Sequence, residues 1–164
     1  MQVDVRIVTA DDWELFRDLR LRALADAPAA FGRTLAEARE QTPAQWRELV
    51  AGPGPRLVVL EDGAPVAMGG VFAPEGDSRA MVWGMWTAPE TRGRGHGARV
   101  LRALVAWCRE QGRPDVLLHV TEGNDGARAL YLAHGFEPTG VWESLRPGSP
   151  LRIEELRLGA AEPM

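Results

Sequence analysis

The sequence predicts an α/β fold, a mixed sheet with helices packed on it. Three observations predict this. Strand-like and helix-like periodicities follow one another in the order β-α-α-β-β-β-α-β-α-β-β. The chain has 164 residues, 45% apolar and 26% charged, which suits one globular domain over residues 1–164 with a sizeable core. A strand also runs through a short loop into three alternate glycines and the most strongly amphipathic helix of the chain.

Residues 4–8 alternate and read as a first strand. Thr9-Ala10-Asp11-Asp12 reads as a capping box with Asp in the fourth position. The helix it opens has an apolar stripe at Trp13, Phe16, Leu19/Arg20 and Ala23/Leu24 and stops at Asp26-Ala27-Pro28. A second helical region over 34–50 breaks near Thr42-Pro43, and Gly52-Pro53-Gly54-Pro55 closes it. Strands over 56–61 and 65–73 flank the hairpin signal Asp62-Gly63, and residues 79–87 make a third strand. From 96 to 111 Gly97, Val100, Leu101, Leu104, Val105 and Cys108 recur at the helical period, with Gly112 placed to cap the end. A strand over 116–121, a short helix over 125–134, and strands over 136–142 and 151–158 complete the chain.

Composition excludes several functions. The longest apolar runs, 57–60 and 116–118, are far below the ~20 residues of a membrane span. The first residues do not read as a secretory signal, and a cytoplasmic location is expected. Cys108 is the single cysteine, so there is no intrachain disulfide or multi-cysteine metal site, and its place on an apolar face is that of a core residue. No metal site is expected, because the three histidines lack ligand spacing. All 19 cations are arginine. Without lysine there is neither a Walker phosphate loop nor a Schiff base. A net charge of −4 gives no basic stripe for nucleic acid.

The informative stretch is residues 82–97. Asp and Glu are favoured in the first turn of a helix, yet Arg92, Arg94, His96 and Arg99 stand there, among Gly93, Gly95 and Gly97. A cationic, glycine-rich helix start suits a bound anion held by backbone amides, although a tight turn that binds nothing has the same spacing. Gly93-Arg94-Gly95-His96-Gly97-Ala98 also fits the dinucleotide fingerprint G-x-G-x-x-A. Only 67 residues follow Gly97, too few for the rest of that fold, and no βαβ rhythm precedes it.

Arg92-x-x-Gly95-x-Gly97 resembles the Q/R-x-x-G-x-G/A motif of the GNAT superfamily of acyl-CoA-dependent N-acetyltransferases. Met85-Trp86-Thr87-Ala88-Pro89 resembles the strand and proline that lead into that motif. Leu118-His119-Val120, Asn124, Ala127, Leu130-Tyr131 and Gly135-Phe136 resemble its downstream signature L-x-V…N…A…L-Y…G-F. The resemblance is strong over 79–140 and architectural before that. It implies a central, mostly antiparallel sheet with a splayed parallel strand pair, flanked by helices, and acetyl-CoA as cofactor. It also implies that Arg92, Gly93, Arg94, Gly95, His96 and Gly97 form the pyrophosphate site. The pantetheine arm would pair near Met85 and Thr87, and an amide of the segment that includes Trp86 would polarise the thioester carbonyl. Gly84 marks either a bulge that permits the splay or simple packing space.

Tyr131 matches the tyrosine that protonates the departing thiolate, and its alternative is a packed aromatic with a satisfied hydroxyl. Asn124, with Ala127 beside it, would touch the pantetheine or order the turn. His119 stands where some members carry a glutamate base. It is either that base or a strand histidine bonded elsewhere, and water-mediated deprotonation is a third route. His134 reads as a surface residue.

In this family the N-terminal helices and late strands usually set specificity, here residues 26–33, 34–50 and 144–150. Phe31 and Trp46 are candidate apolar walls, Glu37 and Glu40 candidate attractors of an amine, and Trp83, Trp86 and Trp142 candidate pocket aromatics. The expected function is transfer of acetyl from acetyl-CoA to the primary amine of a small molecule. The alternatives are a protein or peptide N-terminal acetyltransferase and a silent CoA-binding module. A homodimer is expected as a family habit; no nucleic-acid or membrane partner is expected.

Overall fold

The computed structural model describes residues 1–159, so the end of the expected 1–164 domain lies outside the described residues. In chain order the strands are β1 (Val3–Ile7), β2 (Arg56–Glu61), β3 (Ala64–Phe72), β4 (Arg79–Thr87), β5 (Asp115–Thr121), β6 (Glu137–Ser144) and β7 (Arg152–Leu158). In space they form one sheet ordered β1-β2-β3-β4-β5-β7-β6. Neighbours are antiparallel except β4 and β5, which run parallel. This is the mixed, mostly antiparallel sheet that the sequence predicts.

The helices are α1 (Trp13–Asp26), α2 (Leu35–Arg39), α3 (Pro43–Ala51), α4 (His96–Glu110) and α5 (Asp125–Ala133). The Thr9 box opens a 3₁₀ turn, Ala10–Asp12, that leads into α1. Phe16, Leu19, Arg20, Ala23 and Leu24 of the predicted stripe are buried. Thr34 and Thr42 each cap a helix, which is why the 34–50 region splits where it does. The Asp62-Gly63 turn has both φ angles positive, +49° and +83°, as a two-residue hairpin with right-handed strand twist needs.

The two faces of the sheet are covered differently. On one face, Val100 and Leu104 of α4 press on Gly69 of β3 so closely that a Cβ there would lie 2.8 Å from Val100 and 2.6 Å from the Met85 sulfur. On the other face, α1 and α3 enclose an aromatic cluster, with Phe16 edge-on to Trp46 at 6.4 Å and to Trp83 at 6.2 Å. Because β2 is covered on both sides, even Arg56 is buried there. Its guanidinium donates to the carbonyls of Leu49 at 2.9 Å, Gly54 at 2.8 Å and Val71 at 2.8 Å. Cys108 packs in the core as expected, and burial pushes its thiol up to about 11.

Candidate functional site

The site begins where the parallel pairing stops. β4 and β5 pair from Arg79↔Asp115 to Val82↔Leu118. The register of β4 against β3 then slips, with Gly70 opposite Trp83 but Met68 opposite Trp86, so β4 carries an extra residue at Gly84-Met85. Gly84 has φ +68°, a conformation an L side chain resists. Of the two readings of Gly84, the bulge is the one observed. β5 continues straight, held by β7 through Thr121. The strands part, and a cleft of about 1000 Å³ opens between them.

One end of the cleft is the glycine turn. Gly93 and Gly95 have φ +83° and +80°, and a Cβ on either would meet nothing within 4 Å, so the turn's surface is open. Gly95 is the N-cap of α4, whose first amides lack intrahelical acceptors. The arginine side chains of the turn are engaged elsewhere. Arg92 donates to Asp26 Oδ2 at 3.1 Å and to the Thr87 carbonyl at 3.1 Å. The Arg94 side chain pairs with Glu61 and turns away from the cleft, which leaves only the backbone of Arg94 for the expected cofactor site.

His96 is 2% exposed, its Nε2 2.5 Å from Glu61 Oε2. Arg99 donates to Nδ1 at 2.9 Å, so Nε2 is the nitrogen that carries the proton. Part of the negative charge missing from this helix start is therefore supplied by Glu61 of β2, beside whatever a bound anion would add. What the turn offers the cleft is mainly its amides.

The other end narrows to a chamber of about 60 Å³ lined by Phe31, Trp83, Gly84, His119 and Tyr131, among others. Tyr131 lines both spaces and packs edge-on against Phe136 at 6.2 Å. Burial pushes its phenol up to about 12, so the hydroxyl keeps its proton. His119 stands opposite Glu155 of β7, Nε2 to Oε2 3.8 Å. Thr121 Oγ1 is buried without a hydrogen-bond partner and lines both spaces. Asn124 caps α5, accepting from the Ala127 amide at 3.4 Å, so its turn role is realised. His134, half-buried, has its Nδ1 2.9 Å from the Leu130 carbonyl.

The sequence-predicted residues divide cleanly. Met85, Trp86, Thr87, Arg92, Gly93, Gly95, His96, Gly97, Asn124, Ala127 and Tyr131 line the cleft, and Phe31 and His119 line its inner chamber. Glu37 lies elsewhere: exposed at the start of α2, it accepts from the Thr34 amide at 2.9 Å, and that contact lowers its carboxyl from the ordinary value. Glu40 is exposed, Trp46 belongs to the core, and Trp142 is 41% exposed on edge strand β6 with Arg152 over its ring.

Three other residues matter and were not singled out. Asp26 takes the Trp86 indole at 2.9 Å as well as Arg92. Arg146, between β6 and β7, donates to the carbonyls of Pro28 at 3.0 Å, Phe31 at 2.8 Å and Gly32 at 3.1 Å, fastening the loop that walls the chamber. Arg20 is buried behind that wall, and a charge inside an apolar stripe was the signal that pointed to it.

A profile of the acetyltransferase (GNAT) family matches residues 15–136, most of the chain and all of the cleft's elements. The chain belongs to that family. N-acetyltransferase 8F1 of Rattus norvegicus is 31% identical over 91 residues, 56% of this chain. The match spans 39% of that relative's length, and 31% of a second rat relative, N-acetyltransferase 8B. The fold is shared with a GNAT-family acetyltransferase from Streptococcus pneumoniae at TM-score 0.81 and 14% identity, over 98% of this chain and 100% of that one. It is shared too with a putative acetyltransferase from Salmonella typhimurium solved with its cofactor acetyl-CoA, at TM-score 0.76 and 18% identity, over 100% and 97%. The donor of the GNAT family is acetyl-CoA. This cleft fits such a donor: two strand edges freed by the splay, an open amide turn, and an orphaned Thr121 hydroxyl between them. Among the described residues no helix is long and apolar enough to cross a membrane.

Proposed function

We propose that the protein transfers acetyl from acetyl-CoA to a small primary amine by direct attack, in the cytoplasm. The observation that carries this reading is Tyr131, protonated and buried at the inner end of a cleft whose outer end is an amide-lined turn. Acetyl-CoA supplies an acetyl group activated as a thioester. In this reading the amides around Gly93, Gly95 and Gly97 hold the pyrophosphate at the N-terminus of α4. The freed edge of β4 at Met85 and Thr87 pairs with the pantetheine arm. An amide of this segment donates to the thioester oxygen, so the role does not depend on the side chain of Trp86.

His119 takes a proton from the incoming ammonium, and the Glu155 carboxylate beside it stabilises the resulting imidazolium. The N–C bond forms and the C–S bond breaks. The Tyr131 hydroxyl gives its proton to the departing sulfur, and the second proton shed by the acylated nitrogen restores that hydroxyl. A chamber of about 60 Å³ behind a pinned loop favours a small acceptor over a peptide N-terminus.

The test is release of CoA thiol from acetyl-CoA against separate pools of polyamines, amino acids, aminoglycosides and short peptides. Release above the no-acceptor control with a small-molecule pool is expected. Release with peptides alone overturns the acceptor class, and acetyl-CoA binding with silence from every pool leaves a binding module. His119→Ala should lose the acidic limb of the pH–rate profile; an unchanged profile removes His119 from the mechanism.

A further inference from the structure

Two buried arginines stand over the Trp83 ring, and their surroundings differ. Arg56, with its guanidinium carbon 4.8 Å from the ring centroid, is satisfied by the three carbonyls of Leu49, Gly54 and Val71. Arg20 is 7% exposed, its guanidinium carbon 5.4 Å from Trp83 and 4.7 Å from the Phe31 ring. Its NH1 is buried without a hydrogen-bond partner, and among the described residues no carboxylate pairs with it. Burial, with Arg33 nearby, pushes it down to about 10, so it still carries its charge at neutral pH.

A buried cation without a counter-charge is costly, and two aromatic faces offset only part of that cost. Its position accounts for the rest. A Cβ built on Gly84 would have Arg20 NH1, at 3.5 Å, as its one neighbour within 4 Å. Gly84, Phe31 and Trp83, the residues Arg20 touches or faces, all line the inner chamber with His119 and Tyr131. Two cations close by add positive potential: Arg33 acts on Arg20, and Arg56 stands over the same Trp83 ring. The acidic residues around the chamber have other partners, Asp26 being held by Trp86 and Arg92 and Glu155 facing His119 and accepting from Thr139.

We infer that the acceptor is an amine that also carries a carboxylate, an amino acid, and that Arg20 is the side chain that recognises the carboxylate. This rests on the acetyl-transfer reading of the cleft and adds the acceptor's second functional group. A guanidinium offers a planar fork of donors that a carboxylate matches, and the low-dielectric wall strengthens the pair.

The experiment compares two pools with the whole chain in the presence of CoA: the twenty amino acids, and the amines that remain when each loses its α-carboxyl group. β-Alanine and γ-aminobutyrate, which keep a distal carboxylate, form a separate arm. Binding is read by calorimetry and turnover by thiol release from acetyl-CoA. Binding of amino acids, or of the distal-carboxylate arm, at least tenfold tighter than the plain amines supports the inference. Plain amines bound as well or better, or no pool bound, overturns it. Amino acids bound without thiol release uphold the inference while the acetyl-transfer reading fails.

Arg20→Met, similar in length and uncharged, should weaken the preferred carboxylate ligand about 10²-fold. Its acetyl-CoA affinity reports that it has folded. Equal losses for the carboxylate ligand and its decarboxylated partner would reduce Arg20 to a packing residue.

Discussion

The two walls of the cleft are made of different material. In the proposed reading the donor wall is backbone: the bulge at Gly84, the freed edge of β4, and a turn in which Gly93 and Gly95 take positive φ at the start of α4. In the same reading the acceptor wall is side chain: Phe31 from the loop after α1 and Trp83 from β4 line it, Arg20 stands behind them, and Arg146 reaches back from beyond β6 to hold the loop. A backbone site must be encoded locally, in glycines, a proline and a helix start within a few residues. A side-chain site is assembled from positions more than a hundred residues apart, Arg146 and Phe31 being separated by 115. The first can therefore keep one ligand through much sequence change, while the second is free to change its ligand one residue at a time.

The largest expected effect tests whether the walls meet in one chemistry. Tyr131→Phe should lower kcat by ~10²–10⁴ with acetyl-CoA affinity nearly unchanged, since the phenol acts only when sulfur departs. Equal losses in both would make Tyr131 a packing residue of the donor wall. Next, Gly95→Leu should raise the Kd for acetyl-CoA by about 10²-fold or more, because the position needs φ +80° and its side chain would grow into open cleft. Calorimetry giving an unchanged Kd would break the assignment of that wall to the donor.

A third outcome concerns pH. Tyr131 titrates at about 12 in the fold against an ordinary value near 10, so between those values the native state holds the extra proton and stability falls as pH rises. The stability advantage of the wild type over Tyr131→Phe should therefore shrink by roughly 2–3 kcal/mol from pH 10 to pH 12. Taking the difference cancels the contributions of Arg20 and Arg56, which have the opposite sign because burial lowers them. Tyr131 is the sole tyrosine, so tyrosinate absorbance reports its ionisation directly. The smallest effect belongs to the acceptor wall: Arg146→Ala, which frees the loop from Pro28 to Gly32, should raise the acceptor KM about tenfold and that for acetyl-CoA by less.

How far the sequence could be read follows the same division. The order of strands and helices, the Asp62-Gly63 hairpin, the Thr34 and Thr42 caps and the glycine turn all have short-range signatures, and each element lies within a few residues of its expected place. The side chains of Arg94 and Glu37 stand apart from the cleft for one reason: composition shows that a charge is near a site, and only tertiary structure shows which partner claims it. Arg94 is claimed by Glu61 from the end of β2, and Glu37 by its own helix cap. Asp26 and Arg146 fall only within the broad segments 26–33 and 144–150, and Thr121 carries no pattern, because a helix-end aspartate, a strand threonine and a turn arginine are ordinary until the fold brings them together. Arg20 is a charge within the α1 stripe, a signal the pattern contains, but its lack of a partner is legible only in the fold.

Asp26 gives the division a final turn. A single carboxylate oxygen at the end of α1 accepts from the indole of Trp86 and from Arg92 at the start of the turn. The last residue of α1, next to the acceptor loop, is thereby tied to the first residues that meet the donor, and neither can shift without the other. Any coupling carried by that tie would act by the same factor in both directions. The acceptor affinity that matters is that of the donor-loaded protein, and a titration of the empty chain measures a different molecule.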